Sequence, residues 1–449
     1  MSMTAEEKKQ KREERKQQRR QRWEEGVRTI KWERLDNTAN LFPVISGTEL
    51  TSVYRVCSTL TEEVDPAKLQ EALDIVLPKF DGFNVRLRQG LFWYYFEENG
   101  KPAPRVFKEN TYPCRYIRDN RNNSYLFRVS YYERRINVEV FHALTDGMGG
   151  MNFLKELTYQ YLRLAHPELR DQYGDDLASD TSLNREDSFL KNYTKKKKGT
   201  AYGVVYASRI RGERLKKGQL GIMHVHLKLP ELKDLAHKLS VSLNDLLVAD
   251  MVYSIYQEQV KRRRYKRPIR ISVPVNLRPY FESVTTKNFF VMVSAEFRPV
   301  KEDYTFEEVL AIVHEDLKKK ITKENLEVTL SYNVSKAKNW IAKVVPLFFK
   351  NQGMLWAYRF IARSNTSTVT NVGTIKVAEG YRPYVEMIHG ILSVSMGQYL
   401  KGTVCSYGDT LAFTFASLFK DTQVERRFIK TLTDYGLSAS VQTNGVYYK

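Results

Sequence analysis

The stretch VFHALTDGMGG, residues 140–150, follows an alternating run from Ile136 to Phe141 and precedes Phe153, Leu154, Leu157, Tyr161 and Leu164, which recur at helical spacing. It is therefore expected to form the turn between a strand and a helix. A strand end can present the His142 imidazole, whose ordinary pKa near 6.5 lets it accept a proton at neutral pH, as a general base must. Asp146 falls four residues later, where Gly147, Gly149 and Gly150 allow backbone shapes and close approaches that other residues resist. A carboxylate buried in such a turn needs a partner; if that partner is a distant Arg, Asp146 braces the loop and takes no chemical part. A His-x-x-x-Asp-Gly string arises by composition in roughly 0.02 of sequences this long, and a lone His at a strand end is otherwise an ordinary structural residue. Alone, the loop is only suggestive.

Upstream, Leu126 to Tyr132 and Ile136 to Phe141 read as a hairpin, and Phe83 to Arg88 with Leu91 to Phe96 as another around Gln89-Gly90. Pro66 to Leu77 has helical spacing, with Pro near its start. Downstream, the apolar signal collapses between His166 and Thr200, ending in the run Lys195 to Lys198. Apolar patterning then resumes with a strand at Ile222 to Leu229, a helix opened by Pro230, a second helix from Ser242 to about Val260, and a strand at Ile269 to Val275. Strand-like runs follow at Phe289 to Phe297, Ile391 to Val394 and Leu411 to Phe415. The expected organisation is a basic tail over 1–30, a mixed α/β lobe over 31–180, a linker over 181–203 and a second mixed α/β lobe over 204–449.

The 449 residues are 42% hydrophobic and 28% charged, which suits a soluble globular chain of two lobes. Neither a cleavable leader nor an 18-residue apolar stretch is legible, so the expected location is the cytoplasm, with peripheral membrane contact left open. Three widely spaced cysteines, Cys57, Cys114 and Cys405, support neither a disulfide framework nor a thiolate metal site. The net charge of +20 would draw nucleic acid, an anionic membrane, an acidic carrier protein or coenzyme phosphates alike. Neither a phosphate-binding loop nor a Gly-rich dinucleotide turn occurs, which removes nucleotide hydrolysis and hydride transfer. His224 and His226 share one strand face and could bind a metal, but with no third ligand nearby packing is favoured and no metal is expected. Trp340 to Ala362 is apolar but broken by Lys343, Pro346, Lys350 and Arg359, and is expected to pack in the core or along a tunnel wall in preference to a membrane interface. The basic run Lys261 to Arg267 reads as a solvated helix end.

A second segment, Pro274-Val275-Asn276-Leu277-Arg278 followed by Lys287-Asn288-Phe289-Phe290, joins the loop. In that order the two motifs resemble the coenzyme A-dependent acyltransferase superfamily, which includes chloramphenicol acetyltransferase, plant BAHD acyltransferases, alcohol acetyltransferases and peptide-synthetase condensation domains. The likeness runs from about Trp32 to the C-terminus. It implies two similar chloramphenicol acetyltransferase-like lobes, each a mixed sheet with helices, and an active-site tunnel at their interface. It also implies an Asp146–Arg278 pair, with His142 as base for transfer of an acetyl or short acyl group from acyl-coenzyme A to an alcohol or amine. Coenzyme A is then a co-substrate and no cofactor is permanently bound; the residues that hold it are not legible. Backbone N–H groups near Gly147 or the Asn288 side chain are the candidate oxyanion donors. Ser364 to Gly373 is similar to the family segment near the acceptor channel, although an edge strand would read the same way. Phe141 stands where condensation domains carry a first His, which favours simple acylation over peptide-bond formation; the plant Asp-Phe-Gly-Trp-Gly motif is missing, which disfavours that subgroup. Two alternatives remain: a condensation-type enzyme fed by an acyl or aminoacyl carrier protein, and a non-catalytic protein that binds anions or membrane. Nucleic acid is disfavoured because no nucleic-acid-binding motif accompanies the charge.

Overall fold

The computed structural model describes residues 31–36, 38–118, 121–174, 176–179, 181–194, 205–263, 267–338 and 344–448. The basic tail over 1–30 and the linker residues 195–203 lie outside them.

The first lobe is built on a five-stranded sheet in the order Val385–Leu392, Val53–Leu60, Arg135–Phe141, Phe127–Tyr132, Phe107–Lys108. The expected hairpin is present, and Gly147–Ala165 forms the helix after the loop. The Pro66–Val76 helix starts where Asp65 accepts from the N–H groups of Ala67 and Lys68, with Pro in the first turn, and buries Leu69, Leu73 and Val76. Phe83 stacks on Phe153, their ring centroids 4.0 Å apart, which welds a small three-stranded sheet (Trp32–Arg34, Tyr94–Glu98, Val85–Gln89) to this core.

The second lobe carries a seven-stranded sheet in the order Phe290–Phe297, Ile269–Asn276, Ser367–Thr374, Leu400–Tyr407, Thr410–Ser417, Gly221–Lys228, Ala439–Thr443. Leu243–Ile255 is buried nearly all round, and both Phe306–Lys320 and Gln423–Asp434 pack on it. The Phe306–Lys320 helix opens on a capping box between Thr305 and Glu308 and ends in three lysines, each favourable at its end of the helix dipole.

One open alternative is decided and two expectations change. Ser367–Thr374 is an interior strand, parallel to both neighbours, and not an edge. Its small polar side chains fit there because the hydroxyls are satisfied: Ser367 donates to the Leu400 carbonyl and Thr368 to Gln398. The strand expected at Ile391 to Val394 begins earlier, at Val385, and joins the first lobe's sheet, where His389 lies opposite Cys57.

The last change concerns Trp340 to Ala362, described from Val344 onward and formed mostly by the helix Leu347–Ile361. It does not pack as core. Only Leu347 is buried, while Phe348, Phe349, Trp356, Phe360 and Ile361 are exposed. Polar groups share the inward face with Leu347: Lys350 Nζ donates to the Phe92 carbonyl at 2.7 Å and the Asn351 amide to the Tyr94 hydroxyl at 2.8 Å. Among the described residues, no helix is long and apolar enough to cross a membrane. The described part of the expected linker is packed, with Phe189 buried in the second lobe's core and Arg185 paired with Glu33.

Candidate active site

His142 follows the last residue of the Arg135–Phe141 strand, and its N–H donates to the Ser52 carbonyl at 2.9 Å. Three rings surround the imidazole. Phe42 stacks on it at 4.5 Å between centroids and 17° between planes, the edge of Tyr54 stands at 5.1 Å, and Phe290 at 5.9 Å. Nδ1 is buried without a well-formed hydrogen bond, so Nε2 is the nitrogen left to meet a ligand. Burial pushes the His142 pKa below its ordinary value and outweighs the opposing pull of Asp146, of the residue's own carbonyl and of Asn288. The ring is therefore neutral and basic at physiological pH.

Asp146 caps the Gly147–Ala165 helix and accepts from Gly149 N at 3.2 Å. The Arg278 guanidinium grips its carboxylate as a fork, Nη1 to Oδ2 at 2.9 Å and Nη2 to Oδ1 at 3.1 Å, and Phe289 N adds a bond to Oδ2 at 3.1 Å. Arg278 spends its remaining donors on the carbonyls of Thr285 and Lys287 and on Asn276 Oδ1. No donor is left over for a substrate, so the pair is a brace. The Tyr54 hydroxyl donates to the Asp146 carbonyl at 2.6 Å, and Thr145 Oγ1 donates to the Thr286 carbonyl, stitching the loop to both lobes.

The glycines divide differently from the sequence expectation. A Cβ on Gly147 would meet only Val372, at 4.0 Å, and its backbone has no positive φ, so the loop's shape does not require glycine there. The steric demand falls on its neighbours. A Cβ on Gly149 would lie 2.5 Å from the Thr286 carbonyl oxygen, and one on Gly150 would lie 2.4 Å from the Tyr54 hydroxyl. The N–H groups of Gly147 and Met148, in the first helical turn, have no acceptor within the helix.

Asn288 also differs from the expectation of an oxyanion donor. Its Nδ2 donates to Asp36 Oδ2 at 2.9 Å, and its Oδ1 is the buried end without a hydrogen bond. It therefore presents an acceptor. Asp36, which the sequence reading passed over, accepts from Ala39 N at 2.7 Å, and burial pushes its carboxyl up to about 6.

A second residue missed is Lys401, on the Leu400–Tyr407 strand. Leu400 and Val404 face the second lobe's core, and a Cβ on Gly402 would strike Phe413. The alternate residues face the junction: Thr403 Oγ1 accepts from Leu392 N, and Cys405 belongs to the first lobe's core. Lys401 shares their side. It is buried, makes neither a hydrogen bond nor an ion pair with any described residue, and burial pushes its pKa down to about 7. Its charge further lowers the basicity of His142. The available signal was a lone Lys at an inward position of an alternating strand.

His142, Asp146, Gly147, Arg278 and Asn288 thus meet at one place, 142 to 147 from the first lobe and 278 and 288 from the second. A cavity of about 260 Å³ opens beside the loop, lined by Thr145, Gly149, Asn152 and Thr286 among others; His142 does not line it. His224 and His226 lie apart from this site, packed with His389, whose Nε2 is 2.8 Å from that of His226. No group of three or more His, Cys, Asp or Glu among the described residues is arranged to hold a metal ion.

No family model and no curated protein matches the sequence. Solved structures do match the fold. The chain is similar to polyketide synthase associated protein 5 from Mycobacterium tuberculosis, at 14% identity over 88% of this chain and 96% of that one, with a TM-score of 0.59. It is also similar to TRI101 of F. sporotrichioides, solved with coenzyme A and T-2, at 14% identity over 92% and 99% of the two chains, TM-score 0.60. The first condensation domain of the calcium-dependent antibiotic synthetase matches at 12% identity over 89% and 95%, TM-score 0.59. The chain shares its two-lobed fold with these three structures.

Proposed function

We propose that the protein is an acyltransferase that moves an acetyl or short acyl group from acyl-coenzyme A to a hydroxyl or amine reaching His142 through a tunnel between the lobes. The observation that carries this reading is the neutral, half-buried His142 on a loop that the Asp146–Arg278 fork holds in one shape. Nε2 takes the acceptor's proton as its oxygen or nitrogen attacks the thioester carbonyl. The oxyanion that forms is met by the free N–H groups of Gly147 and Met148 at the positive end of their helix. Its collapse expels the coenzyme A thiolate, which recovers the proton from the imidazolium. Acyl-enzyme, metal and resident cofactor are not required. The +20 charge favours approach of the anionic coenzyme.

The test is thiol release from acetyl- and longer acyl-coenzyme A against a panel of alcohols and amines, with product masses recorded. Release is expected only when a competent acceptor is present, and His142→Ala is expected to remove it. Full turnover in that variant would sink the proposal. Turnover from an acyl carrier protein combined with indifference to free acyl-coenzyme A would reassign the donor.

A further inference from the structure

The Leu347–Ile361 helix leaves five large apolar side chains exposed, Phe348, Phe349, Trp356, Phe360 and Ile361. Lys350 and Asn351 hydrogen-bond inward to the strand pair at Phe92 and Tyr94, while Phe349, Trp356 and Phe360, at i, i+7 and i+11, form one outward stripe. Phe348 and Phe349 are 66% and 64% exposed and Trp356 is 59% exposed. The stripe runs for about 16 Å along the helix. It is continued by the tip of the neighbouring hairpin, since Leu347 N donates to the Leu91 carbonyl at 2.8 Å and Leu91 is itself 70% exposed. Soluble proteins rarely leave so much contiguous aromatic surface in water without a use for it.

The cations around the stripe point to the occupant. Arg359 lies over the Trp356 ring at 5.7 Å from its centroid and Arg363 over Phe360 at 5.7 Å, so positive charge borders the exposed rings. Between Glu327 and Glu379 the sequence contains seven Lys or Arg and no Asp or Glu. A second copy of the same chain would bring the same carboxylate-free segment, and like charges would oppose the contact. An anionic bilayer offers apolar depth for the rings and phosphates for the arginines.

We propose that this face, the exposed side of Leu347–Ile361 with Leu91 and Trp93, docks the protein on an anionic lipid surface as a peripheral contact. The proposal is independent of the catalytic reading, and its test reads no activity. The full chain is sedimented with vesicles of phosphatidylcholine alone and of phosphatidylcholine with roughly one quarter phosphatidylglycerol, the anionic lipid supplying the attraction. Binding is expected to the mixed vesicles, weaker to the neutral ones and weaker again at high salt. Joint replacement Phe349→Ser, Trp356→Ser and Phe360→Ser is expected to lower partitioning about tenfold or more. Because the three side chains are exposed, thermal unfolding should be unchanged. Trp emission should shift to the blue on adding mixed vesicles, and Trp356→Phe should reduce that shift, with Trp93 on the same face supplying the remainder. The basic tail is present in both proteins, so equal vesicle binding by the triple variant and the parent would overturn the proposal. So would an absence of vesicle binding, or a dimer in solution that the triple variant converts to monomer.

Discussion

Two cationic side chains at the junction between the lobes, Arg278 and Lys401, are treated in opposite ways. Arg278 has each guanidinium nitrogen engaged, and its carboxylate partner Asp146 is itself bonded by two backbone N–H groups. Lys401 has no partner among the described residues. A saturated pair fixes geometry and is costly to break on one side only, whereas an unpaired buried ammonium costs stability for as long as it remains charged. The difference separates a brace, present for the shape of the loop, from a charge held in reserve beside the base.

The contrast is sharpest when the base itself is removed. His142→Ala is expected to lower kcat about a hundred- to ten-thousand-fold while the melting temperature stays within a few degrees, because the ring is not part of the brace. Breaking the brace should cost both properties: Arg278→Ala leaves the Asp146 carboxylate buried and unpaired, which is expected to destabilise by about 3–5 kcal/mol in denaturant titration and to lower turnover with it. Lys401→Met should move stability the other way, upward by on the order of 2–4 kcal/mol at pH 7. The sign follows from the folded pKa of about 7 lying below the ordinary 10.5. The unfolded chain binds the proton more tightly, so the parent loses stability as pH falls from 10.5 toward 7, and the variant should lack that slope.

A smaller effect separates the glycines. Gly149→Ala should lower the melting temperature, since its Cβ would collide with the Thr286 carbonyl. Gly147→Ala should leave stability within about 0.5 kcal/mol and slow turnover by narrowing the space proposed for the oxyanion. The smallest expected change is in pH dependence. The acid limb of kcat/KM should have its midpoint below 6.5, and Lys401→Met should move it upward, because the ammonium that disfavours the imidazolium is gone.

The loop and its brace were legible because their chemistry is local. His142, Asp146 and Gly147 stand in one string, and Arg278 and Asn288 in a second segment whose order matches a known pattern. Helices with local signals, such as the proline start and Asp65 cap of Pro66–Val76, were legible for the same reason. What escaped depends on contacts far apart in sequence. Asp36 matters only because Asn288 turns its amide toward it across 252 residues. The inward orientation of Lys401 depends on the pairing register of its strand. Residues 347–361 have an apolar composition that reads as core, and only the hairpin carbonyl above Lys350 shows which face turns inward. Gly147 looked like a conformational residue by type, but the crowding that requires glycine lies at 149 and 150.

The strand Val385–Leu392 forms the edge of the first lobe's sheet beside Val53–Leu60, although four of the second lobe's seven strands precede it in the chain and three follow it. During synthesis the early sheet therefore waits, with the backbone of Val53–Leu60 open along one side, until more than three hundred further residues have left the ribosome. A chain divided between the lobes would not yield two self-sufficient halves. The first fragment would lack its border and the second would carry a spare strand, so the pair would regain a native sheet only by finding each other.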